Sequence, residues 1–311
     1  MDKINKKKIL LVYIIVINWN EERYTAACLE SLRKVKYGNL KVVVVDNGSK
    51  IENYKSLYKK YSGFAAFIRL ESNKGFTGGN NVGIKYALDR SAEFIMLLNN
   101  DTEVNPDFLS KLMESMIQDE NIGIIGPKIN YMDDKNLLWC IGGKLRTLTG
   151  NGKLIWNKHK DTYKKKMLVD VDYVSGCAML VRSKIFRKIG FLDNKYFIYN
   201  EESDFNLRAK RSLGVRRVCR LDSVIYHKVS LTNTKISGFA EYYLTRNRMY
   251  FARKHNNNFR YAIFLIYFFA IIVPKYTLFY PIYYRNIKIL KYFYVGIKDY
   301  FNGQMGKSGL F

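Results

Sequence analysis

Residues 94–103 read FIMLLNNDTE, in which five consecutive apolar residues lead directly into Asn99, Asn100 and Asp101. The apolar run is typical of a strand buried in a sheet, and the polar side chains after it belong to the loop that follows. In parallel α/β sheets, ligands bind beyond the carboxyl ends of the strands, where the connecting loops gather. This stretch therefore predicts the binding edge of a sheet.

The first 126 residues alternate between strand-like and helix-like segments. The predicted strands are 9–17, 41–46, 65–70, 93–98 and 122–126, and the predicted helices are 24–35, 79–88 and a segment beginning after Pro106. The strands are continuously apolar rather than alternating, which indicates burial on both faces. The sequence thus predicts an α/β fold, with a mostly parallel sheet and helices on both faces.

The second half of the chain is less regular. Residues 127–170 are polar, Gly-bearing and Lys-rich, which predicts an excursion from the sheet that contains a hairpin. Strand and then helix return over 171–193, a helix follows over 199–214 and ends near Gly214, and a further strand ends at His227. We therefore predict a first domain over residues 1–235.

Residues 236–311 are predicted to form a C-terminal extension of amphipathic helices. From residue 259 onward the chain is crowded with Phe, Tyr and Ile and carries seven basic residues against one acid. The longest uncharged stretch, 261–274, is shorter than the ~20 residues of a transmembrane helix. Aromatic residues beside Lys and Arg instead favour helices that associate with an anionic membrane surface. The alternative for this surface is an interface in a homo-oligomer.

The composition narrows the class of protein. The chain has 52 Lys and Arg against 27 Asp and Glu, and the formal charge of +25 favours anionic partners. Its four cysteines form no CxxC pair, which argues against a zinc site or a disulfide framework and fits a reducing compartment. The N-terminal apolar stretch is short and no small-residue cleavage site follows it, so a buried strand is expected rather than a signal peptide.

Two glycine-rich stretches do not match phosphate-binding motifs. The glycines of GFTGGNNVG lack the GxGxxG spacing, and the first P-loop glycine required by GQMGKSG falls on Phe301. These mismatches argue against P-loop NTPases and dinucleotide-dependent dehydrogenases.

Two groups of carboxylates remain as candidates for chemistry. Asp101 follows a strand and could bind Mg²⁺ or Mn²⁺ that in turn holds a diphosphate, because hard cations prefer oxygen ligands. Asp46 ends another strand and could accept a hydrogen bond from a nucleobase or a ribose. Glu201, Glu202 and Asp204 form the second group, which could supply a general base.

Each of these residues also has a purely structural interpretation. A single Asp after a strand is often a turn residue, and acidic side chains favour the first turn of a helix. His227 is either a further metal ligand or a structural residue. Two separate acidic groups in so basic a chain nevertheless favour an enzyme over a binding module.

Six stretches over roughly residues 12–232 form a recognisable set. They are IIVINWNEERYTAACLESL, KVVVVDNGS, ESNKGFTGGNNVGIKYAL, IMLLNNDTEVNPDFLSKLM, SGCAMLVRSKIFRKIGFLDNKYFIYNEESDFNLRAKRSLG and VIYHKVSLT. In this order the set resembles the family 2 glycosyltransferases, especially the rhamnosyltransferase-like group, and YVGIKDYFNGQMGK resembles the tail of that group. The resemblance implies a glycosyltransferase-A fold with membrane-associating C-terminal helices. It also implies inverting transfer of a sugar, with rhamnose a candidate, from a nucleoside-diphosphate sugar to a glycan or lipid-linked glycan.

The resemblance also implies roles for individual residues. Those implied to border the nucleotide-sugar are Asn20, Glu22, Asp46, Asn73, Gly75, Asn80 and Asn100. Asp101 would be the single carboxylate of the metal-binding element, and His227 would help to hold Mg²⁺, Mn²⁺ or the diphosphate. Glu202 stands at the position of the general base, where the family usually has Asp, beside the candidate residues Glu201 and Asp204.

Two other classes of function stay open. A metal-dependent nucleotidyltransferase also combines a parallel sheet with a metal-binding acid, but NWNEER stands where its Gly-rich basic signature is expected. A non-enzymatic binder of nucleic acid or membrane surfaces would explain the charge but not the acids at the strand ends. We therefore expect an enzyme at the cytoplasmic face of the membrane that does not bind nucleic acid.

Overall fold

The computed structural model describes residues 9–163, 165–229, 238–284 and 288–311. Its strands are β1 (Val12–Asn18), β2 (Leu40–Asp46), β3 (Ala66–Arg69), β4 (Phe94–Asn99), β5 (Thr102–Val104), β6 (Ile122–Tyr131), β7 (Leu138–Cys140), β8 (Gly143–Arg146), β9 (Asn151–Leu154), β10 (Leu168–Asp170), β11 (Ala178–Arg182) and β12 (Arg216–His227). Its helices are α1 (Glu22–Leu32), α2 (Ile51–Tyr61), α3 (Gly75–Leu88), α4 (Phe108–Gln118), α5 (Ser183–Ile189), α6 (Glu201–Leu213), α7 (Phe239–His255), α8 (Asn258–Tyr267), α9 (Val273–Tyr284) and α10 (Lys288–Phe301).

The main sheet has the strand order β10-β12-β6-β11-β4-β1-β2-β3. Strands β3, β2, β1 and β4 are parallel, as predicted from their continuous apolar runs. Strand β11 runs antiparallel between β4 and β6, which are the fourth and fifth strands predicted from the sequence. Its direction was not predictable, because an apolar run has the same pattern in either orientation.

Two apolar layers cover the faces of this sheet. Along β1, Val12, Ile14 and Val16 pack into the layer that includes α1 and α4, whereas Tyr13 and Ile15 pack into the layer that includes α3 and α6. Burial on both faces explains why the strand has no polar alternation. The prediction of helices on both sides of the sheet is confirmed.

The strand register aligns the polar residues that follow the strands. Asn18 pairs with Asp46, and Ile17 pairs with Asn99, so three strands end at one edge. The short strand β5 then turns back and pairs antiparallel with β12, which places Thr102 opposite His227. This pairing brings His227 to the end of the FIMLLNNDTE stretch.

The irregular middle of the chain contains the predicted hairpin. Strands β8 and β9 pair antiparallel and form a separate two-stranded sheet. Helix α6 ends before Gly214, whose left-handed conformation closes the helix, as the sequence indicated.

The C-terminal extension is helical, and its predicted boundary at 235/236 lies outside the described residues. Helix α10 packs along α7, and a small apolar core forms around Met249, Phe264, Phe268 and Phe293. From Asn258 to Phe279 the chain forms a 22-residue helical run, with a π-helical turn over Phe268–Ile272, that is largely exposed and apolar enough to cross a membrane by length and composition.

This helical run corrects the length argument made from the sequence. The uncharged stretch 261–274 is too short to span a bilayer, but the helix continues beyond it at both ends and includes Arg260 and Lys275. Long basic side chains near helix ends can extend toward the headgroups, so the uncharged length underestimates the usable length.

Candidate active site

A cavity of about 250 Å³, here called cavity 1, opens at the carboxyl-terminal edge of β1, β2 and β4. Its polar lining consists of Glu21, Asn47, Asn73, Asn80, Asn99, Asn100, Asp101 and Lys307, and its apolar lining includes Trp19, Tyr24, Phe76, Phe197, Phe239 and Phe311. The three polar residues that end FIMLLNNDTE all lie in this lining, so that stretch does end at a cleft.

One wall of cavity 1 is held by a network of amide groups. Asn47 Nδ2 donates to Asn73 Oδ1 and to the Gly75 carbonyl oxygen, both at 3.0 Å. Asn73 Oδ1 also accepts the Gly75 N–H at 2.8 Å. Gly75 has a φ of +72°, and a Cβ added there would lie 2.4 Å from the Phe197 carbonyl oxygen. Only glycine fits this position, because both the backbone angle and the close approach of Phe197 exclude a side chain.

Asp101 and His227 form a pair at the end of β4. His227 Nε2 lies 3.1 Å from Asp101 Oδ1, yet that oxygen is buried and makes no hydrogen bond with any described residue. The ring of Trp139 packs edge-on against the imidazole. A buried carboxylate oxygen without a donor, next to a ring nitrogen, suits a hard divalent cation.

The described side chains do not form a complete metal site by themselves. No group of three His, Cys, Asp or Glu residues within the described ranges is placed to hold a metal ion. Mg²⁺ and Mn²⁺ nevertheless accept one or two protein ligands when substrate phosphates and water supply the others. The residues present therefore fit a cation that binds together with a phosphorylated ligand.

A second cavity of about 210 Å³, here called cavity 2, is lined in part by Glu202, the predicted general base. Its lining includes Gly150–Gly152, Tyr173, Tyr199, Asn200, Glu202, Thr245, Arg248, Phe268, Ile272, Tyr276 and Phe293. The β8–β9 hairpin, the start of α6 and the C-terminal helices thus meet around Glu202.

Cavities 1 and 2 lie back to back. A methyl group added at Gly176 would lie 3.1 Å from Phe76 Cζ, in the lining of cavity 1, and 3.5 Å from Glu202 Cβ, in that of cavity 2. Ile198 lines cavity 1 and its neighbour Tyr199 lines cavity 2. The separation between the two cavities is therefore about one layer of side chains.

The two glutamates at the start of α6 differ in environment. Glu201 is only 4% exposed, and burial followed by the charge of Glu202 raises the pKa of its carboxyl well above the ordinary value. Burial also raises the pKa of Glu202, which faces cavity 2. A carboxylate with a raised pKa is a stronger base, as proton abstraction near neutral pH requires.

Asp204 lies in a buried ion cluster and lines neither cavity. Its carboxylate is fully buried and lies 2.8 Å from His255 Nε2, 2.8 Å from Lys254 Nζ and 2.7 Å from Arg208 Nε. Burial alone would raise the pKa of Asp204, but the His255 hydrogen bond and the charges of Arg208 and Lys254 outweigh it and hold that pKa well below its ordinary value. The carboxylate joins α6 to α7 through these contacts, and the catalytic role expected for Asp204 stays a prediction.

The segment before α6 is held in a strained conformation by α7. Three non-glycine residues of segment 195–200 have φ between 65° and 72°, a costly arrangement that the surroundings must enforce. Asn247 Nδ2 donates to the carbonyl oxygens of Tyr196, Ile198 and Tyr199 at 3.0, 2.7 and 2.9 Å. The extension therefore shapes the loop that lines both cavities.

Three of the residues predicted to contact the nucleotide lie outside the lining of cavity 1. Asn20 is exposed, and its Oδ1 accepts a hydrogen bond from the Lys50 N–H at 2.8 Å. Glu22 begins α1, and it is the preceding Glu21 that lines the cavity. Asp46 is buried, and its carboxylate accepts hydrogen bonds from Asn18 Nδ2 at 2.9 Å and the Ser49 N–H at 3.2 Å.

The other predicted contacts do line cavity 1, and further residues join them. Asn73, Gly75, Asn80, Asn100 and Asp101 lie in its wall, and their roles in binding stay predictions. The aromatic side chains and Lys307 also line cavity 1 and were not among the predicted contacts; Lys307 belongs to the GQMGKSG stretch, which does not match a P-loop. The one local signal that could have indicated a role for Lys307 is the presence of a basic residue in a glycine-bearing segment.

Solved structures with similar folds include two that contain UDP-GlcNAc or UDP. The chain matches the S. aureus TarS 1-349 structure in complex with UDP-GlcNAc with a TM-score of 0.59 and 17% identity, over 94% of this chain and 80% of that chain. It matches the structure of GalNAc-T7 with UDP, GalNAc and Mn²⁺ with a TM-score of 0.59 and 13% identity, over 88% and 58% of the two chains. These matches show the glycosyltransferase-A fold.

Sequence comparisons give the family. The chain is 27% identical over 244 residues to the low-salt glycan biosynthesis hexosyltransferase Agl10 of Haloferax volcanii, covering 68% of this chain and 74% of the relative. It is 24% identical over 256 residues to the dTDP-rhamnosyl transferase RfbF of Shigella flexneri, covering 79% and 81%. The family model described as glycosyl transferase family 2 matches residues 13–190, more than half of the chain. The chain therefore belongs to the family 2 glycosyltransferases.

Proposed function

We propose that the protein moves a sugar from a nucleoside-diphosphate donor in cavity 1 to a hydroxyl group of an acceptor in cavity 2. The observation that carries this proposal is the back-to-back arrangement of the cavities, with the Asp101–His227 pair on one side and Glu202 on the other. In a transferase the leaving group and the group that activates the acceptor act on opposite sides of one anomeric carbon, so the layer of side chains between the two cavities would move aside when both substrates are bound.

Cavity 1 suits a nucleotide-sugar. Its aromatic rings offer faces for a nucleobase or a sugar, and its asparagine side chains offer hydrogen-bond donors and acceptors for hydroxyl groups. The solved relatives with bound UDP-GlcNAc or GDP-Man support this class of donor. Similarity to a dTDP-rhamnosyl transferase makes rhamnose the first donor sugar to test.

Asp101 and His227 would hold a divalent cation, Mg²⁺ or Mn²⁺. The unpaired, buried Asp101 Oδ1 supports this assignment, as do relatives crystallised with Mn²⁺. Such a cation supplies positive charge that stabilises a departing diphosphate. The acceptor oxygen would approach from the opposite side, which gives inversion at the anomeric carbon.

Glu202 would act as the general base. It faces cavity 2, its pKa is raised by burial, and its carboxylate reaches one methylene further than that of the Asp usual at this position. In this role Glu202 accepts the proton of the acceptor hydroxyl as the oxygen attacks the sugar. Glu201, buried behind it, would help to set the environment of that carboxylate.

The acceptor would be a glycan carried on a lipid at the cytoplasmic face of the membrane. Phe268, Ile272 and Phe293 contribute to the lining of cavity 2, and the first two lie on the helical run that also exposes apolar side chains to the surroundings. An acceptor on a lipid anchor could reach Glu202 from that surface.

A donor and acceptor screen tests the proposed function. Full-length protein would be incubated with dTDP-rhamnose, UDP-GlcNAc or GDP-mannose, with Mg²⁺ or Mn²⁺ and isoprenoid-linked glycans, and the release of nucleoside diphosphate and the product mass would be measured. We expect one donor to give product only when metal is present, and Glu202→Gln to form that product far more slowly. Release of pyrophosphate from a nucleoside triphosphate and a sugar phosphate would instead identify a nucleotidyltransferase.

A further inference from the structure

The segment 302–311, after α10, folds back over α7 and reaches cavity 1. The Gly306 N–H donates to the Lys195 carbonyl oxygen at 2.8 Å, and the Ser308 N–H donates to Tyr243 Oη at 3.0 Å. These bonds fix the backbone on either side of Lys307. The side chain of Lys307 is therefore presented to cavity 1 from an anchored segment.

Phe311 provides a second anchor for the same segment. Its ring lies 5.1 Å from that of Phe239, 5.4 Å from Tyr292 and 5.8 Å from Tyr242, measured between centroids. Phe239 and Phe311 both line cavity 1. The aromatic cluster thus holds the segment against the cavity mouth.

The charge of cavity 1 makes Lys307 distinctive. Among the described residues that line it, Lys307 is the one cation, and Glu21 and Asp101 are the anions. Lys307 is exposed and lines cavity 1, so its ammonium group is accessible to a ligand there. The nucleoside diphosphate that leaves during transfer carries more negative charge than a single divalent cation neutralises, and a lysine ammonium is a common phosphate partner.

We propose that Lys307 binds the diphosphate of the nucleotide-sugar and that segment 302–311 completes the donor site. This inference rests on the proposed function of cavity 1. It assigns donor binding to a part of the chain outside residues 13–190, the range that matches the family. The C-terminal extension would then contribute directly to substrate recognition in addition to any contact with the membrane.

Calorimetry with UDP, GDP and dTDP, in the presence of Mn²⁺, tests this inference in the full-length protein. For the nucleotide that binds best, Lys307→Ala should weaken binding about ten- to a hundredfold, as expected for loss of a charge-assisted contact. Lys307→Arg should restore most of the affinity. Binding of the corresponding nucleoside, which has no phosphate, should be unchanged.

Lys298→Ala is the matched control, because it removes the same charge from an exposed position on α10 that does not line cavity 1. It should bind the nucleotide as the unaltered protein does. If Lys307→Ala bound the nucleotide as tightly as the unaltered protein, or lost equal affinity for nucleoside and nucleotide, the role of Lys307 would be overturned. The proposal that cavity 1 binds the donor would still stand. If the unaltered protein binds none of the three nucleotides, both the donor proposal and this inference fail.

Discussion

At the scale of single residues, three neighbouring acids show how environment decides chemical role. Glu202 faces a cavity, Glu201 is buried beside it, and Asp204 is enclosed by basic side chains. Burial raises the pKa of both glutamates, whereas the cations around Asp204 lower the pKa of that carboxyl. Of the three, Glu202 combines access with basicity, which is what a general base requires.

Substitution of Glu202 by Gln should lower the transfer rate about 10²–10⁴-fold, because the amide cannot accept a proton. Glu202→Asp should retain more activity than Glu202→Gln, since it keeps the carboxylate one methylene further back. The measurement is the transfer rate together with the donor dissociation constant, which should barely change. A near-normal rate in Glu202→Gln, or a loss confined to donor binding, would remove Glu202 from this role.

The pH dependence of transfer should reflect the raised pKa of Glu202. A base works only when deprotonated, so activity should fall as the pH drops through its pKa, and that fall should lie above the ordinary Glu value of about 4.3. A profile of kcat/KM against pH from 4.5 to 8 checks this. An activity that stays constant down to the lowest pH would contradict the assignment.

At the scale of elements, α7 connects the C-terminal helices to segment 195–200 and to α6. Asn247 holds the strained loop that borders both cavities, and the adjacent Arg246 donates to the Tyr196 carbonyl oxygen at 3.2 Å. At the other end of α7, Lys254 and His255 contact Asp204 of α6. Helix α7 therefore acts as a structural support of the site, and the first domain is not expected to keep its site geometry without it.

The α6–α7 ion cluster should contribute strongly to stability. Asp204→Asn leaves its basic partners without a counter-charge, and we expect a loss of about 3–5 kcal/mol in the free energy of unfolding at pH 7. Because the pKa of Asp204 is lowered by folding, its contribution is present above the unfolded value of about 3.9 and is lost as the pH falls toward the folded value. The difference between the two proteins should therefore shrink at about pH 3.

Urea unfolding at the two pH values measures this effect. Asp89→Asn is a suitable control, because Asp89 forms an exposed i,i+4 ion pair with Lys85 on α3, and such pairs contribute little. If Asp204→Asn were no less stable than Asp89→Asn at pH 7, the cluster would not have the stabilising role described.

At the scale of the whole molecule, an apolar surface lies on the helices next to cavity 2. Large exposed side chains on or beside the helical run 258–279 include Phe259, Ile266, Phe269, Ile271, Leu278, Phe279 and Ile282. Exposed apolar groups this dense favour contact with a membrane, and the net charge of +25 favours an anionic one. Removing the extension would be a poor test, because α7 and Lys307 are also part of the site.

Point substitutions provide the sharper test. Replacing Ile266, Ile271, Leu278 and Phe279 by Ser should release the protein from liposomes that contain anionic lipid, since burying each large apolar side chain stabilises binding by about 1.5–3 kcal/mol. Flotation with the liposomes measures the bound fraction. A matched variant carries Ser at Ile51 and Tyr58, which are exposed on α2, and should float with the liposomes like the unaltered protein.

Salt distinguishes the two modes of membrane contact in the same experiment. Helices that lie at the interface should bind less in high salt, because part of their attraction is electrostatic. A helix that spans the bilayer should stay bound in high salt. Equal flotation of the four-residue Ser variant and the unaltered protein would contradict the membrane role of this surface.

The sequence by itself determined the elements of the sheet and its binding edge. Continuous apolar runs, helical spacing and the polar residues at 99–101 are local properties, and the elements they predicted lie where expected. Hydrophobic patterning reports which residues are buried along a strand or helix, and the mostly parallel character of the sheet followed from the continuous apolar runs.

Only the tertiary structure decided which residues share the site. Four features of the site depend on segments that are far apart in the chain. They are the antiparallel insertion of β11, the presence of Glu21 rather than Glu22 in the lining of cavity 1, the burial of Asp204, and the position of Lys307 at cavity 1. A charged residue has the same local pattern whether it faces solvent, a ligand or a buried counter-ion. Its role is set by packing against distant elements, which no local spacing records.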